Sequence, residues 1–279
     1  METPVIPNEP AIRLGIFLAI LVAMALWELA RPRRALDTPK ARRWLRNLGI
    51  TILDGALVRW LFPILAIGMA ALAAERGWGL LNAYAPPYWL ALAISVVVLD
   101  LAIYLQHVTF HAVPALWRLH MVHHTDLDFD VTTGLRFHPL EIVLSMVIKL
   151  AVVSVLGAPP LAVLIFEVAL NGSALFNHGN VRLPLPLDRV LRLFVVTPDM
   201  HRVHHSTMAP ETNSNFGFNL PWWDRLFGTY RDQPGAGHAD MAIGLEHYRR
   251  DADLTFARLL GLPFTGRIGD YPINRRDPD

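Results

Sequence analysis

Cysteine is absent from the 279-residue chain, which excludes disulfides, thiolate-bound zinc, iron–sulfur clusters and cysteine nucleophiles. Any metal must be held by nitrogen or oxygen. Charge is scarce as well: 18% of the residues are Asp, Glu, Lys or Arg, against roughly 25% in an ordinary soluble domain. The deficit falls in long apolar runs, so a bilayer is the expected solvent for much of the chain. A formal net charge of +1, without a basic stripe interleaved with aromatics, argues against nucleic acid as a partner. No repeat or low-complexity stretch is present. Gly-x-Ser-x-Gly, His-Glu-x-x-His and Glu-x-x-His are all missing, which weakens serine hydrolase, zinc protease and carboxylate-bundle di-iron readings. Asp126, Asp128 and Asp130 alternate like the start of a calcium loop. Val131 stands where that loop needs glycine, however, and Phe137 where it needs glutamate. The stretch reads as a turn or cap.

What is abundant is apolar sequence, 53% of the chain. Five runs approach the roughly 17–25 residues of a spanning helix, at about 14–30, 48–74, 88–106, 140–157 and 161–177. The acidic, proline-rich start, Met1 to Pro10, lacks the basic n-region of a cleaved signal, so the first run is expected to be a retained span. The second run is overlong and holds Asp54, Arg59 and Pro63, which predicts a kink or partial insertion. Pro159-Pro160 breaks the last two runs into a hairpin. Arg31, Arg33, Arg34, Lys40, Arg42, Arg43 and Arg46 lie between the first two spans and place that loop on the cytoplasmic side. Counting crossings from there brings 107–138 and 178–205 out on the same face. The expected architecture is all-α: a multi-pass bundle of four to five spans, with a cytosolic cap from 107–139 and 178–279, forming one catalytic domain over 1–279.

Ten of the twelve histidines fall between His107 and His205. They form His107-x3-His111, His120-x2-His123-His124 and His201-x2-His204-His205, with His138 and His178 between. On a helix, positions i, i+3 and i+4 share a face, so each motif can present two or three imidazoles toward one point. Imidazole suits iron, zinc, copper and nickel, and eight or more exceed what one ion can use. Two ions is the economical count. A lone histidine near a membrane surface is more often a hydrogen-bonded polar residue than a ligand; three motifs of the same spacing on one face are a different case.

These boxes, with Arg136-Phe137-His138-Pro139-Leu140-Glu141, Asn177-His178-Gly179-Asn180 and Trp223-Asp224-Arg225-Leu226-Phe227-Gly228-Thr229-Tyr230, resemble the fatty acid hydroxylase/sterol desaturase superfamily over 107–230. The resemblance implies two iron ions in a non-haem centre, with O2 as co-substrate. It also implies a membrane lipid hydroxylated or desaturated at a C–H bond; hydroxylation is preferred. Zinc can replace iron on overexpression. The pattern carries over to His107, His111, His120, His123, His124, His201, His204 and His205 as metal ligands, with His178 next. Arg182 stands where some members have a further histidine, so Asn180 is a candidate to hold a metal-bound water. His138 is a candidate ligand, supporting donor or helix-start residue.

Asp100, Tyr104, His107 and His111 form one helical stripe, and Glu167, Asn171 and His178 another. Carboxylates in spans are costly and face polar partners. Asp100 and Glu167 are therefore expected either to orient ligand imidazoles from other helices or to pair with an arginine such as Arg59. Tyr84, Tyr88, Trp89, Trp117, Trp222 and Trp223 fall near expected span ends or in the cap and fit an interfacial belt; the alternative for any one of them is simply to anchor the fold. Leu187 to Val196, with Arg189 and Arg192, reads as a basic amphipathic segment on the membrane. His238 and His247 lack partners at ligand spacing and read as surface residues. With no flavin, haem or iron–sulfur signature, electrons must come from a ferredoxin, cytochrome or reductase. The expected location is a bacterial inner membrane, with the metal site on its cytoplasmic face. Two other classes compete: a metal transport or storage protein, which would spread its ligands along a path through the membrane, and a zinc-dependent membrane hydrolase, which needs an acidic base beside the metal.

Overall fold

A computed structural model describes residues 8–274; most of the acidic N-terminal stretch lies outside them. The elements run α1 (Glu9–Ala30), α2 (Lys40–Leu61), α3 (Ala66–Arg76), α4 (Leu80–Tyr84), α5 (Tyr88–Ala112), α6 (Pro114–His124), α7 (Pro139–Leu156) and α8 (Pro160–Asn177). Short helices follow: α9 (Leu185–Leu191), α10 (Pro198–His204), α11 (Ala209–Thr212), α12 (Trp222–Leu226), α13 (Gly237–Asp240) and α14 (Phe256–Thr265). No strand occurs among the described residues, only isolated bridges such as Pro32 to Val181.

Five segments are long and apolar enough to cross a membrane: Glu9–Ala30, Lys40–Tyr84, Tyr88–Ala112, Pro139–Leu156 and Pro160–Asn177. Their outer faces are apolar, as Leu14, Leu18, Val22, Leu26 and Leu29 on α1 illustrate; all five are exposed. Water would not support such a face, and lipid does. The chain is a multi-pass helical membrane bundle.

The overlong second run is two helices. Proline has no N–H and pushes the preceding residue out of the helical region. Phe62 is accordingly extended (φ −113°, ψ 102°), and α3 starts afresh after Leu65. Ala66 and Ala70 of α3 are buried against Leu99, Val153 and Phe166, small residues letting helices approach closely. At the same end, Gly79 and Gly157 touch through their backbones. Both have positive φ, and a Cβ on Gly79 would lie 2.1 Å from Gly157 N.

The basic loop after α1 packs onto the cap. Arg33 pairs with Asp199 at 3.0 Å and Arg46 with Asp251 at 2.5 Å. Arg43, fully buried, holds Asp126 at 2.7 Å and Asp130 at 2.7 Å. The loop and the histidine boxes therefore share one end of the bundle, as crossing parity requires. The aspartates form an anchoring turn, with Asp128 accepting the N–H of Thr38 at 2.7 Å. Arg136 donates to Val122 O, Asn47 Oδ1 and Thr125 Oγ1, tying the end of α6 to α2. The cap has its own core, with Trp117, Met121 and Val122 against Leu254, Leu259 and Leu262.

One expectation needs correction here. Trp117 is buried in that core rather than in an interfacial belt, whereas Tyr84, Tyr88, Trp89 and Trp222 are exposed. The segment 187–196 exposes an apolar face together with Arg189. Leu187, Val190, Leu193 and Phe194 are exposed, while Arg192 is buried, 2.7 Å from Asp188.

Candidate metal centre

The centre is assembled from four elements. α5 continues beyond its apolar run to Ala112, placing His107 and His111 one turn apart. Val113, extended ahead of Pro114, turns the chain into α6 with His120, His123 and His124. His178 caps the end of α8. Thr197 accepts the Met200 N–H at the start of α10, which brings His201, His204 and His205.

The nine imidazoles fall into two adjoining groups whose candidate donor atoms lie within 4.8 Å of one another. One comprises His107, His111, His120, His124 and His204; the other His123, His178, His201 and His205. All nine are buried. The i, i+4 pairs act as units: His107 with His111, His120 with His124, His201 with His205. The residue at i+3, His123 or His204, points to the neighbouring group. The first box serves one group, whereas the second and third each divide between the two, contrary to the simplest reading of their spacing. The groups abut, with ring centroids of His124 and His205 4.7 Å apart and those of His120 and His123 5.2 Å apart.

Outer hydrogen bonds fix the rings. His107 Nδ1 donates to Phe216 O at 2.8 Å, His204 Nδ1 to Ser214 O at 2.8 Å and His178 Nδ1 to Ala174 O at 2.7 Å. His120 Nδ1 donates to Glu141 Oε1 at 2.7 Å, and His111 Nδ1 lies 3.0 Å from Asn213 Oδ1. A carbonyl only accepts, so the proton of His107 sits on Nδ1, and the carboxylate places that of His120 likewise. Each Nε2 then carries a lone pair, yet the two Nε2 atoms lie 3.1 Å apart. Two facing lone pairs repel; a cation shared between them resolves the contact. Nε2 of His111 and of His204, and both ring nitrogens of His124 and His205, have no partner. An all-imidazole set of this kind fits iron, zinc or copper.

Electrostatics keep the set neutral. Burial pushes His120 and His178 down to about 3. It lowers His123, His124, His201, His204 and His205 well below the ordinary imidazole value, with repulsion from neighbouring rings adding to it. Neutral imidazole is the metal-binding form.

Asp224 orders the loop that carries the Phe216 carbonyl. It accepts Phe216 N at 2.7 Å, Gly217 N at 2.9 Å and Thr229 Oγ1 at 2.8 Å. Burial nonetheless pushes its carboxyl up to about 6. Gly134 is required by close approach, since a Cβ there would meet Ala174 O at 2.5 Å and His178 Nδ1 at 2.9 Å.

The residues expected around the ligands bond elsewhere, Glu167 and His138 by the alternatives expected of them, an arginine pair and a helix start. Asp100 touches no imidazole; it accepts Asn219 Nδ2 and Trp223 Nε1, each at 2.7 Å. Glu167 pairs with Lys149 at 2.8 Å and Arg13 at 3.1 Å. Asn180 clasps the basic loop, giving Nδ2 to Arg34 O and accepting Arg34 N. His138 belongs to neither group: it caps α7, with Nδ1 accepting Leu140 N and Nε2 at 3.1 Å from Leu260 O. His238 is buried, 3.7 Å from Asp199, while His247 is exposed. Glu141 and Asn213, in contact with ring nitrogens, were not singled out from the sequence. Glu141 stood inside a motif of the resemblance, which was its one signal. Glu141→Ala is expected to weaken metal binding by about 10–100-fold, and Glu141→Gln, whose carbonyl still accepts, to recover most of it. Metal retention against a graded chelator checks this.

A cavity of about 370 Å³ runs from His107 and His120 down between α1, α2, α5, α7 and α8. Phe110, Phe137 and Phe218 line it near the histidines, and Val58, Met146 and Leu170 are among its apolar walls.

Fold and site together define a membrane-embedded helical protein with a paired imidazole centre at one end. A family model described as fatty acid hydroxylase matches residues 92–229. Similar curated proteins include the ornithine lipid hydroxylase OlsE of Rhizobium tropici, 26% identical over 82% of this chain and 70% of its own length. Human alkylglycerol monooxygenase is 28% identical over 53% of this chain and 31% of its own. The Delta(7)-sterol-C5(6)-desaturase of Nicotiana tabacum is 30% identical over 52% and 51%. The chain thus spans much of the first relative but only about a third and a half of the other two. No solved structure matches it. The chain belongs to the fatty acid hydroxylase/sterol desaturase superfamily.

Proposed function

We propose that this chain is an O2-dependent di-iron enzyme that hydroxylates or desaturates a C–H bond of a membrane lipid, the whole chain forming one catalytic domain. The observation that carries the reading is nine buried imidazoles in two adjoining groups at the head of a cavity that enters the spans. His107, His111, His120, His124 and His204 would hold one ion, and His123, His178, His201 and His205 the other. Iron at these positions would supply oxidation of an alkyl C–H bond, which has no acidity for a side-chain base to use.

The chain's own residues do the rest. Glu141 and the carbonyls of Phe216, Ser214 and Ala174 keep protons on Nδ1, so Nε2 faces inward as a donor. Phe110, Phe137 and Phe218 exclude water from the head of the cavity, and Phe137 stacks on His123 at 4.4 Å. The apolar walls below receive an acyl or ring system directly from the bilayer. Ligands gathered at one end disfavour a transporter, which needs them along a path. A zinc hydrolase needs an acidic base facing the metal, and Glu141 instead meets His120 through Nδ1, on the far side of the ring from the inward Nε2.

The basic loop favours a cytoplasmic site in a bacterial inner membrane. Electrons come from a separate ferredoxin, cytochrome or reductase. Lipids from cells with and without the gene are expected to differ by one oxygen or two hydrogens in one lipid class, read by mass spectrometry. Purified protein should turn over only with an added electron donor. Identical lipidomes, or turnover without reductant, would remove the reading.

A further inference from the structure

The buried carboxylates of the spanning helices differ in one respect. Glu167 is answered by Lys149 and Arg13, Asp100 by Asn219 and Trp223, and Glu28 by the N–H groups of Val131 and Asn180 and by Lys40. Asp54 on α2 has no such answer. It is 7% exposed and lines the cavity. Its Oδ1 is buried without a partner, and the charge acting on it, Glu141, has the same sign. Two further acceptors in the same walls are also unpartnered: Gln106 Oε1, whose amide nitrogen is used by Ser145, and Glu141 Oε2. The cations of this cavity, Arg13 and Lys149, are already engaged by Glu9 and Glu167.

A carboxylate held among apolar helices without a donor is strongly unfavourable. Three helices, α2, α5 and α7, bring unpartnered acceptors to one cavity; the buried donor there without a hydrogen bond, Arg13 Nε on α1, belongs to a guanidinium already paired with Glu9 and Glu167. What completes such a wall is a group rich in N–H donors and of positive charge.

We propose that Asp54 is the recognition subsite for a protonated amine on the lipid, so that the cavity takes an amine-bearing lipid. This rests on the lipid-oxidising reading of the same cavity. Asp54 accepts from the ammonium, Gln106 Oε1 and Glu141 Oε2 offer the remaining acceptors, and the hydrocarbon part lies along Val58, Met146 and Leu170. The substituent is held by ionic hydrogen bonds, stronger than those of a neutral hydroxyl.

The probes are dodecylamine, protonated at neutral pH, and 1-dodecanol, titrated calorimetrically into the metal-loaded full chain in a neutral detergent. Dodecylamine is expected to bind about tenfold tighter than the alcohol. That preference should vanish in Asp54→Asn and Asp54→Leu, with metal content unchanged. Equal affinities in the native chain, or a preference that survives Asp54→Asn, would overturn the proposal. Lipid analysis separates it from the reading beneath it. Oxidation confined to lipids without an amine sinks the subsite and leaves the oxygenase. An Asp54-dependent amine preference with no lipid oxidised does the reverse.

Discussion

Replacing His178 by alanine is expected to lower bound iron from about two ions per chain to about one and to abolish lipid oxidation, while the chain still inserts and folds. His178 is one of only four imidazoles in its group, so its loss leaves three donors. Affinity there should fall by more than about a hundredfold, beyond the effect of losing a supporting contact. Outside the centre its ring makes no hydrogen bond to another helix among the described residues, because its Nδ1 bonds within its own segment, to Ala174 O. His111→Ala is the informative contrast. It leaves four donors in a group of five, so iron should be retained better than in His178→Ala, even though Asn213 loses its ring contact. Elemental analysis beside a thermal unfolding scan distinguishes metal loss from misfolding. Equal iron in native and His178→Ala protein would contradict the two-group assignment.

The second large effect is on stability. Arg43→Leu should cost about 3–5 kcal/mol, the range for breaking a buried ion pair from one side. The guanidinium gives Nε and Nη2 to the two oxygens of Asp126 at 2.7 and 2.8 Å and Nη1 to Asp130 at 2.7 Å. Without it two buried carboxylates face each other beside the end of α6. Arg43→Lys should recover only part of the loss, since an ammonium cannot reproduce the planar fork. Burial alone would raise the Asp126 carboxyl, but Arg43 overrides it and holds the group below its ordinary value. Its contribution is therefore complete above the ordinary carboxylate pKa of about 3.9. It is lost as pH falls from there through the depressed folded value. Denaturant melts at neutral pH measure the difference, and an Arg43→Leu protein as stable as the native chain would refute the network's role. Because Asp126 follows His124 closely, the same substitution should also loosen metal binding.

Much of this was legible in the sequence, for reasons local to the chain. Apolar run lengths gave the spans, because a bilayer of fixed thickness demands them. Pro63 announced the break between α2 and α3, because proline removes a backbone donor wherever it stands. The arginine-rich loop and the crossing parity placed that loop and the histidine boxes at one end, and Arg33, Arg43 and Arg46 contact the cap there. The boxes themselves stood out because helical periodicity sets directions along one helix.

What only the tertiary structure decided is which directions meet. Adjacent residues on a helix point about 100° apart, so His123 and His124 were bound to diverge, but the group each would join depends on how α5, α6, α8 and α10 pack. The same holds for the carboxylates. Asp100 and Glu167 had the right chemistry to orient imidazoles, yet packing set Asn219 and Trp223 against one and Lys149 and Arg13 against the other. Glu141, distant in sequence from His120, reached its ring nitrogen instead. Hydrogen bonds act over about 3 Å, and separation along the chain does not encode contacts at that range.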